Sequence, residues 1–368
     1  MKLPPAKMAR FFAQHEFTAP YVFCSSDCES FSVEDLLKFE PHALEAMLSL
    51  RLGYTDSPGS LELRTQIASL YDNVSSDEIL VHAGAEEAIF NFMNVALDPG
   101  DQIIVHSPYY QSLGEVARGI GARVIEWKTD PERVWQLDLS VLEDTLTERT
   151  KVVVVNFPHN PTGFLPTVEF VSELSRLSEE RGFLVFSDEI FRGLEYDSGN
   201  RIPAFVELNS RAISLGGMSK TYGLAGLRIG WIATHNKDLI RNMAQFKDYT
   251  SMCNSTTSEF LATLALRHHE AVIERSLNII RNNLNDLNAF FDCHPQLFNW
   301  NEPKAGPIAF PQYLGGAVDD FCQQLLQRQG VLFYPGTLIG KGFNCFRIGF
   351  GRANMAQCLR RLEQFIVH

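Results

Sequence analysis

KVVVVNFP, residues 151–158, carries four consecutive valines where a half-exposed strand would alternate apolar with polar residues. A strand apolar at every position buries both faces, as strands do in a parallel sheet covered by helices on either side. The flanking sequence repeats the theme. EILVHAG (78–84), QIIVHSP (102–108) and ARVIEW (122–127) read as strands before it, with EEAIFNFMNVAL (86–97), VARGIG (116–121) and LSVLEDTL (139–146) as helical segments among them. After it come the helix VEFVSELSRLSEERG (168–182) and the strand FLVFSDEI (183–190), then two further strand-like runs, RAISLGG (211–217) and RIGWIATH (228–235). Strands separated by helices in this way predict an α/β fold around a mostly parallel sheet.

Composition sets the outer bounds. A chain of 368 residues suggests two domains, and 45% hydrophobic with 21% charged residues is ordinary for a globular protein. The larger domain is expected at 49–270. A smaller, discontinuous α+β domain is expected from 1–48 with 271–368, its N-terminal part including a helix over SVEDLLKFEPHALEAMLSL (32–50). A formal net charge of −12 argues against nucleic acid or an anionic membrane as partner, since both call for clustered positive charge. MKLPPAKMARFF lacks the apolar run of a signal peptide, and no stretch of 18 apolar residues occurs, so a cytoplasmic protein is expected. Seven scattered cysteines without a CxxC pair support neither a disulfide framework nor a zinc site, and no metal is expected.

Ligands of open α/β sheets gather at the carboxyl ends of the strands. Three polar residues fall there: Asn160 after VVVVNFP, Asp188 closing FLVFSD, and Lys220 after RAISLGG. Lys220 is not a P-loop lysine, because Ser219 rather than glycine precedes it and Gly216 and Gly217 are wrongly spaced. A lysine can form a Schiff base with an aldehyde, and a carboxylate can keep a pyridine nitrogen protonated so that the ring draws in electrons. An amide can donate to a phenolate, and an arginine can grip phosphate or carboxylate in a fork. Together these are the requirements of pyridoxal 5'-phosphate (PLP) chemistry. Singly, each residue has a plainer role as helix cap, turn former or solvated charge.

Order and setting weigh against the plainer roles. NFPHNPTG (156–163), SDEIFRGLEY (187–196), SLGGMSKTYGLAGLRIGW (214–231) and FRIGFGR (346–352) resemble the motifs of the fold-type I PLP-dependent aminotransferases, in particular the class I/II, aspartate-aminotransferase-like group. GYTDSPGSLELR (53–64) and HAGAEEAIF (82–90) support the resemblance, which covers nearly the whole chain. It implies that Lys220 forms the Schiff base and shuttles the substrate proton, that Asp188 pairs with the ring nitrogen, and that Asn160 donates to the ring's phenolate oxygen. Tyr110 would stack on the ring, with Tyr109 as its nearest rival. The phosphate would bind the backbone N–H groups of Ala85 and Glu86 at a helix N-terminus, with Ser219 close by and Arg228 adding a charge-assisted contact. Tyr54 would reach the phosphate of a neighbouring subunit, which implies a homodimer, and Arg347 would clamp the substrate α-carboxylate.

The reaction so implied moves an amino group between an amino acid and a 2-oxo acid. Two positions depart from the pattern. Phe191 stands where the family carries a tyrosine that donates to the phenolate, and Gly217 where many relatives carry a phosphate-binding serine. Both keep open an alternative, a PLP-dependent lyase or cyclase acting by elimination. FCSSDCESFS (23–32) replaces a glycine-bearing loop, and its Asp27 and Glu29 are candidates to meet a cationic substrate side chain.

Overall fold

A computed structural model describes residues 1–367. Seven strands form its main sheet: β1 (Ile79–His82), β2 (Gln102–Ser107), β3 (Arg123–Lys128), β4 (Thr150–Asn156), β5 (Leu184–Asp188), β6 (Ala212–Gly217) and β7 (Gly230–Ala233). They lie in the order β1-β7-β6-β5-β4-β2-β3. The run from β3 to β6 is parallel, and β7 is antiparallel to both of its neighbours.

The four valines explain why β4 lies in the interior of the sheet. Val152 and Val154 pack on one face with Val105, Phe92 and Leu113, whereas Val153 and Val155 pack on the other with Trp127, Leu174 and Phe183. Successive side chains of a strand point to opposite faces, so an uninterrupted apolar run supplies two cores at once. The helix Ala85–Ala96 covers the first face through Ala88, Ile89 and Phe92, and the helix Val168–Arg181 covers the second through Val171, Leu174 and Leu177. This register sets Asn156 beside Asp188, so two polar residues meet at the carboxyl edge of the sheet.

Residues beyond 270 build a separate core. Leu277, Ile280 and Leu284 of the helix His269–Cys293 meet Phe321 and Leu325 of the helix Val318–Gln329, and Ile348 of the strand Phe346–Gly349. Phe23 and Cys28 join this core from the far end of the chain, and the strand Tyr21–Val22 pairs in parallel with Val331–Leu332. The single helix expected over 32–50 is replaced by two short ones, Val33–Leu37 and Ala43–Leu48. Pro41 cannot donate a backbone hydrogen bond, and His42 takes a left-handed φ of 65°, so the helix cannot run through them. Leu36 and Ala43 pack with Leu63, Ile67 and Leu261 rather than with the core beyond 270.

One strap matters for function. Residues 23–29 lie along the strand Phe346–Gly349 and its continuation: Phe23 O accepts from Gly349 N at 3.0 Å, and Glu29 N donates to Gly351 O at 2.8 Å. A Cβ on Gly349 would overlap the Ser25 carbonyl oxygen, and one on Gly351 would sit 2.6 Å from Asp27 O. Both clashes are with backbone, which has no rotamer to yield. Gly349→Ala is therefore expected to lower the thermal midpoint by several degrees and, in the folded fraction, to raise protease sensitivity between residues 23 and 29. Calorimetry with limited proteolysis checks this; a parental midpoint and cleavage pattern would refute the strap.

Candidate active site

A cavity of about 330 Å³ opens above the carboxyl edge of the sheet, and Asn160, Asp188, Ser219, Lys220, Tyr110, Ala85, Glu86, Arg228 and Arg347 all line it. The residues come from six segments far apart in the chain.

Asn156, the last residue of β4, organises one wall. Its Nδ2 donates to Asp188 O at 2.7 Å and to Pro158 O at 3.2 Å, while its Oδ1 accepts from Asn160 N at 2.7 Å. One amide side chain thus fixes both Asn160 and Asp188. The Asn160 side chain is oriented in turn by Arg347, whose Nη1 donates to Asn160 Oδ1 at 3.2 Å. A guanidinium only donates, so the oxygen must face it, and the Asn160 NH2 remains as the end that can donate into the cavity.

Asp188 is 6% exposed, and its carboxylate takes one hydrogen bond, from Ile190 N at 3.2 Å. Burial pushes its pKa up to about 7, with the Ile190 N–H opposing and the nearby Glu189 and Glu86 charges adding to the rise. A buried carboxylate with so little support suits a site where a cationic partner is to arrive. Lys220 projects into the same space. Burial lowers the pKa of its ε-amine, the Asp27 charge opposes that, and the Arg347 charge reinforces it. Its Nζ donates to Ser26 Oγ at 2.9 Å.

One end of the cavity is a backbone cradle. The helix Ala85–Ala96 starts after Gly84, whose φ of 95° suits glycine, and no side chain caps its first N–H groups. Gly230 lies so close that a Cβ there would overlap Ala85 N. Arg228, held at a left-handed φ of 54°, rests a guanidinium nitrogen against Gly84 and has no carboxylate partner among the described residues. Free N–H groups at a helix start and an unpaired guanidinium together form an anion site. Ser219 faces the cavity with its hydroxyl unengaged, whereas a side chain at Gly217 would meet Ile190 Cδ1 at 2.9 Å and Ile229 O at 3.2 Å. Packing therefore keeps residue 217 small.

Arg347 is 1% exposed and pairs with no carboxylate among the described residues. Cys24 O accepts from its Nε at 3.1 Å and its Nη2 at 2.9 Å, and burial lowers its pKa. Leaving a buried cation without a counter-ion costs several kcal/mol, so such an arrangement persists where an anionic ligand completes it. Tyr110 lines the cavity, while Tyr109 is turned to Arg118, which donates to its hydroxyl at 2.9 Å. Phe191 also lines the cavity and offers no donor. Tyr54 is 87% exposed and lies outside the lining.

Two sequence expectations need correction, and the cavity has lining that the sequence reading missed. Asp27 does line the cavity, but Arg352 holds it in a fork, Nε to Oδ1 at 3.1 Å and Nη2 to Oδ2 at 2.9 Å, and Glu29 Oε2 accepts from Ala353 N at 2.8 Å. Asp27 is thus occupied by Arg352, and Glu29 lies outside the lining, so neither is placed to meet a cationic substrate. The missed feature is a roof. Met8, Ala9 and Phe12 of the helix Lys7–His15, with Glu16 just beyond it, close one side of the cavity. The four-residue spacing of Met8, Phe12 and Glu16 is the helical signal that marks this face in the sequence. Among the described residues no cluster of three His, Cys, Asp or Glu side chains is placed to hold a metal ion, and no helix is long and apolar enough to cross a membrane.

An amine, a buried carboxylate and an anion-binding helix start in one cavity are a set that fits PLP, the cofactor of a class of PLP-dependent enzymes. Residues 21–363 match the family Aminotransferase class I and II, and the chain belongs to that family. It is 30% identical to capreomycidine synthase of Streptomyces vinaceus over 95% of this chain and 90% of the relative. It is 29% identical to aspartate aminotransferase of Thermotoga maritima over 89% and 88% of the two chains. The crystal structure of a PLP-dependent aminotransferase from Streptococcus suis 89-1591 superposes with a TM-score of 0.94 at 29% identity, covering 100% of this chain and 98% of the other. The protein is a PLP-dependent aminotransferase of α/β fold, acting on amino acid and keto acid substrates.

The raised Asp188 pKa makes a prediction that needs no cofactor. A carboxylate whose folded pKa exceeds its unfolded value destabilises the fold as pH rises between the two, here from 3.8 to about 7. Cofactor-free Asp188→Asn is expected to be the more stable protein above that window, by at most about 4 kcal/mol, with the gain fading below it. Denaturant unfolding across pH measures this, and a pH-independent difference would contradict it.

Proposed function

We propose that Lys220 is the residue that bonds the cofactor and carries the substrate proton, with Asp188, Asn160, Tyr110, Arg228, Ser219 and the Ala85 and Glu86 N–H groups holding the cofactor and Arg347 the substrate. The observation carrying this reading is that the buried, counter-ion-free guanidinium of Arg347 and the amine of Lys220 line one cavity with the carboxylate of Asp188. When bound, PLP supplies an aldehyde that condenses reversibly with amino groups and a ring that draws electron density from the amino-acid Cα. The chain supplies the rest. Asp188 keeps the ring nitrogen protonated from a site too dry for water to compete. Arg347 grips the α-carboxylate in a fork and Asn160 adds a donor beside it, so the amino acid arrives in one orientation. Lys220, its amine pKa lowered by burial, is able to accept a proton from Cα and later return one. Met8 and Phe12 screen the reacting atoms from bulk water.

Incubation with an amino acid and 2-oxoglutarate is expected to yield a second amino acid, and Lys220→Ala to reduce that exchange about 10³-fold or more. A second reading, elimination or cyclisation, is favoured by Phe191, which leaves one donor fewer at the phenolate edge, and by the similarity to a synthase. Ammonia and a keto acid released from one substrate without an acceptor would decide for elimination, and a cyclic amino-acid product for cyclisation.

We further assign a homodimer in which Tyr54 completes the partner's phosphate site. Leu48, Leu52, Tyr54 and Tyr249 are 77%, 80%, 87% and 91% exposed. Thr55 Oγ1 donates to Asn254 O at 2.9 Å and Thr256 Oγ1 to Gly53 O at 3.1 Å, which joins the segments near these residues, and exposed apolar side chains of this kind suit an interface. In this reading the chain divides into units of 49–270 and of 1–48 with 271–368, the helices at 33–48 lying against the larger unit. A cytoplasmic setting suits seven free thiols, five of them buried. Tyr54→Ala is expected to loosen cofactor binding about tenfold. Mixing it with Lys220→Ala should then restore tight binding at one site per hybrid dimer. A fully active monomer on dilution would contradict the assignment.

A further inference from the structure

We propose that Ser26 is a catalytic partner of Lys220: its hydroxyl holds the ε-amine whenever the lysine is not bonded to the cofactor, and keeps it placed for proton transfer at Cα. The proposal rests on the role of Lys220 given above. Lys220 Nζ donates to Ser26 Oγ at 2.9 Å, and among the described residues this is the only hydrogen bond of that nitrogen. Ser26 is 8% exposed and lines the catalytic cavity beside Lys220, Asp27 and Arg347.

The choice of a hydroxyl has a chemical consequence. A carboxylate is available one residue away, yet Asp27 is locked onto Arg352 by two hydrogen bonds. Had Asp27 taken the amine, it would have held it as an ammonium and opposed its use as a base. A serine hydroxyl accepts from an ammonium and donates to a neutral amine, so it follows the lysine through both protonation states. A group that takes a proton from Cα and gives one back needs such a partner.

A purely structural role, in which the bond only ties residues 23–29 to the rest, does not fit the bonding around it. That segment is already held without the serine side chain, by Gly349 N to Phe23 O, by Arg347 to Cys24 O and by Glu29 N to Gly351 O. Those tethers place Ser26, and the hydroxyl is left to act on the amine.

Ser26→Ala and Ser26→Thr test the idea. In the cofactor-loaded enzyme, Ser26→Ala should lower kcat at least about tenfold with KM for the amino acid changed less than about threefold, and should raise the primary isotope effect with α-deuterated substrate. Ser26→Thr, which keeps the hydroxyl, should recover most of the loss. In the cofactor-free protein, the pH dependence of Lys220 acylation by acetic anhydride, read by peptide mass spectrometry, should move about one pH unit lower in Ser26→Ala, because the ammonium form loses its acceptor. A titration curve and isotope effect equal to the parent's would overturn the proposal. So would a Ser26→Thr as impaired as Ser26→Ala with no shift in the acylation profile. If the parent exchanged no amino group at all, the reading of Lys220 would fall, while the acylation profile would still decide whether Ser26 holds the amine.

Discussion

The amide of Asn156 is the interaction on which the site depends. It stands at the last position of a strand buried on both faces, where an unpaired polar group would be costly, and it is satisfied by bonds to Pro158 O, Asp188 O and Asn160 N. Those bonds join the ends of two neighbouring parallel strands, so the geometry of the cavity floor follows from sheet register rather than from loop packing. The valines set that register, and they are where the cores on the two faces of the sheet meet. Mechanism and stability share one strand.

Above the floor the electrostatics run against the chain as a whole. A protein of net charge −12 concentrates Lys220, Arg228 and Arg347 around one small cavity. Two of these cations have no carboxylate partner, and the third is held by a neutral hydroxyl. Acids that could have neutralised them are engaged elsewhere: Asp27 with Arg352, and Glu86 with Ser112. The cavity therefore holds two guanidinium groups with no carboxylate bound to them, which suits anionic groups such as phosphate or carboxylate, and salt screens the acidic exterior from them.

The sheet and the floor of the site were legible in the sequence because each rests on a local pattern. Four valines mark a doubly buried strand, and Asn160, Asp188 and Lys220 stand at or just after runs whose apolar pattern reads as strand. Arg347 was legible only through resemblance to a family, since nothing in FRIGF distinguishes a buried arginine from a surface one. The roof and Ser26 were not read, for a different reason. Their roles depend on where the chain's first thirty residues return in space, against a strand more than three hundred positions later, and no local pattern encodes such a return. The same blindness misassigned Asp27: a sequence shows a carboxylate but not the Arg352 that already occupies it. The helix expected over 32–50 failed on a detail that was in plain view, the Pro41-His42 break.

The helix over the cavity has a further implication. Lys7–His15 contains no buried residue and rests on the body largely through aromatic contacts, Phe11 and Phe12 on Tyr334. Met8, Phe11 and Phe12 pack against Cys24, Leu332 and Tyr334, a small cluster apart from the two cores that flank the sheet, so the helix adds little to those cores. Shelter from water and the fold's stability thus rest on different parts of the chain: the helix screens the cavity, and the two faces of the sheet hold the structure together.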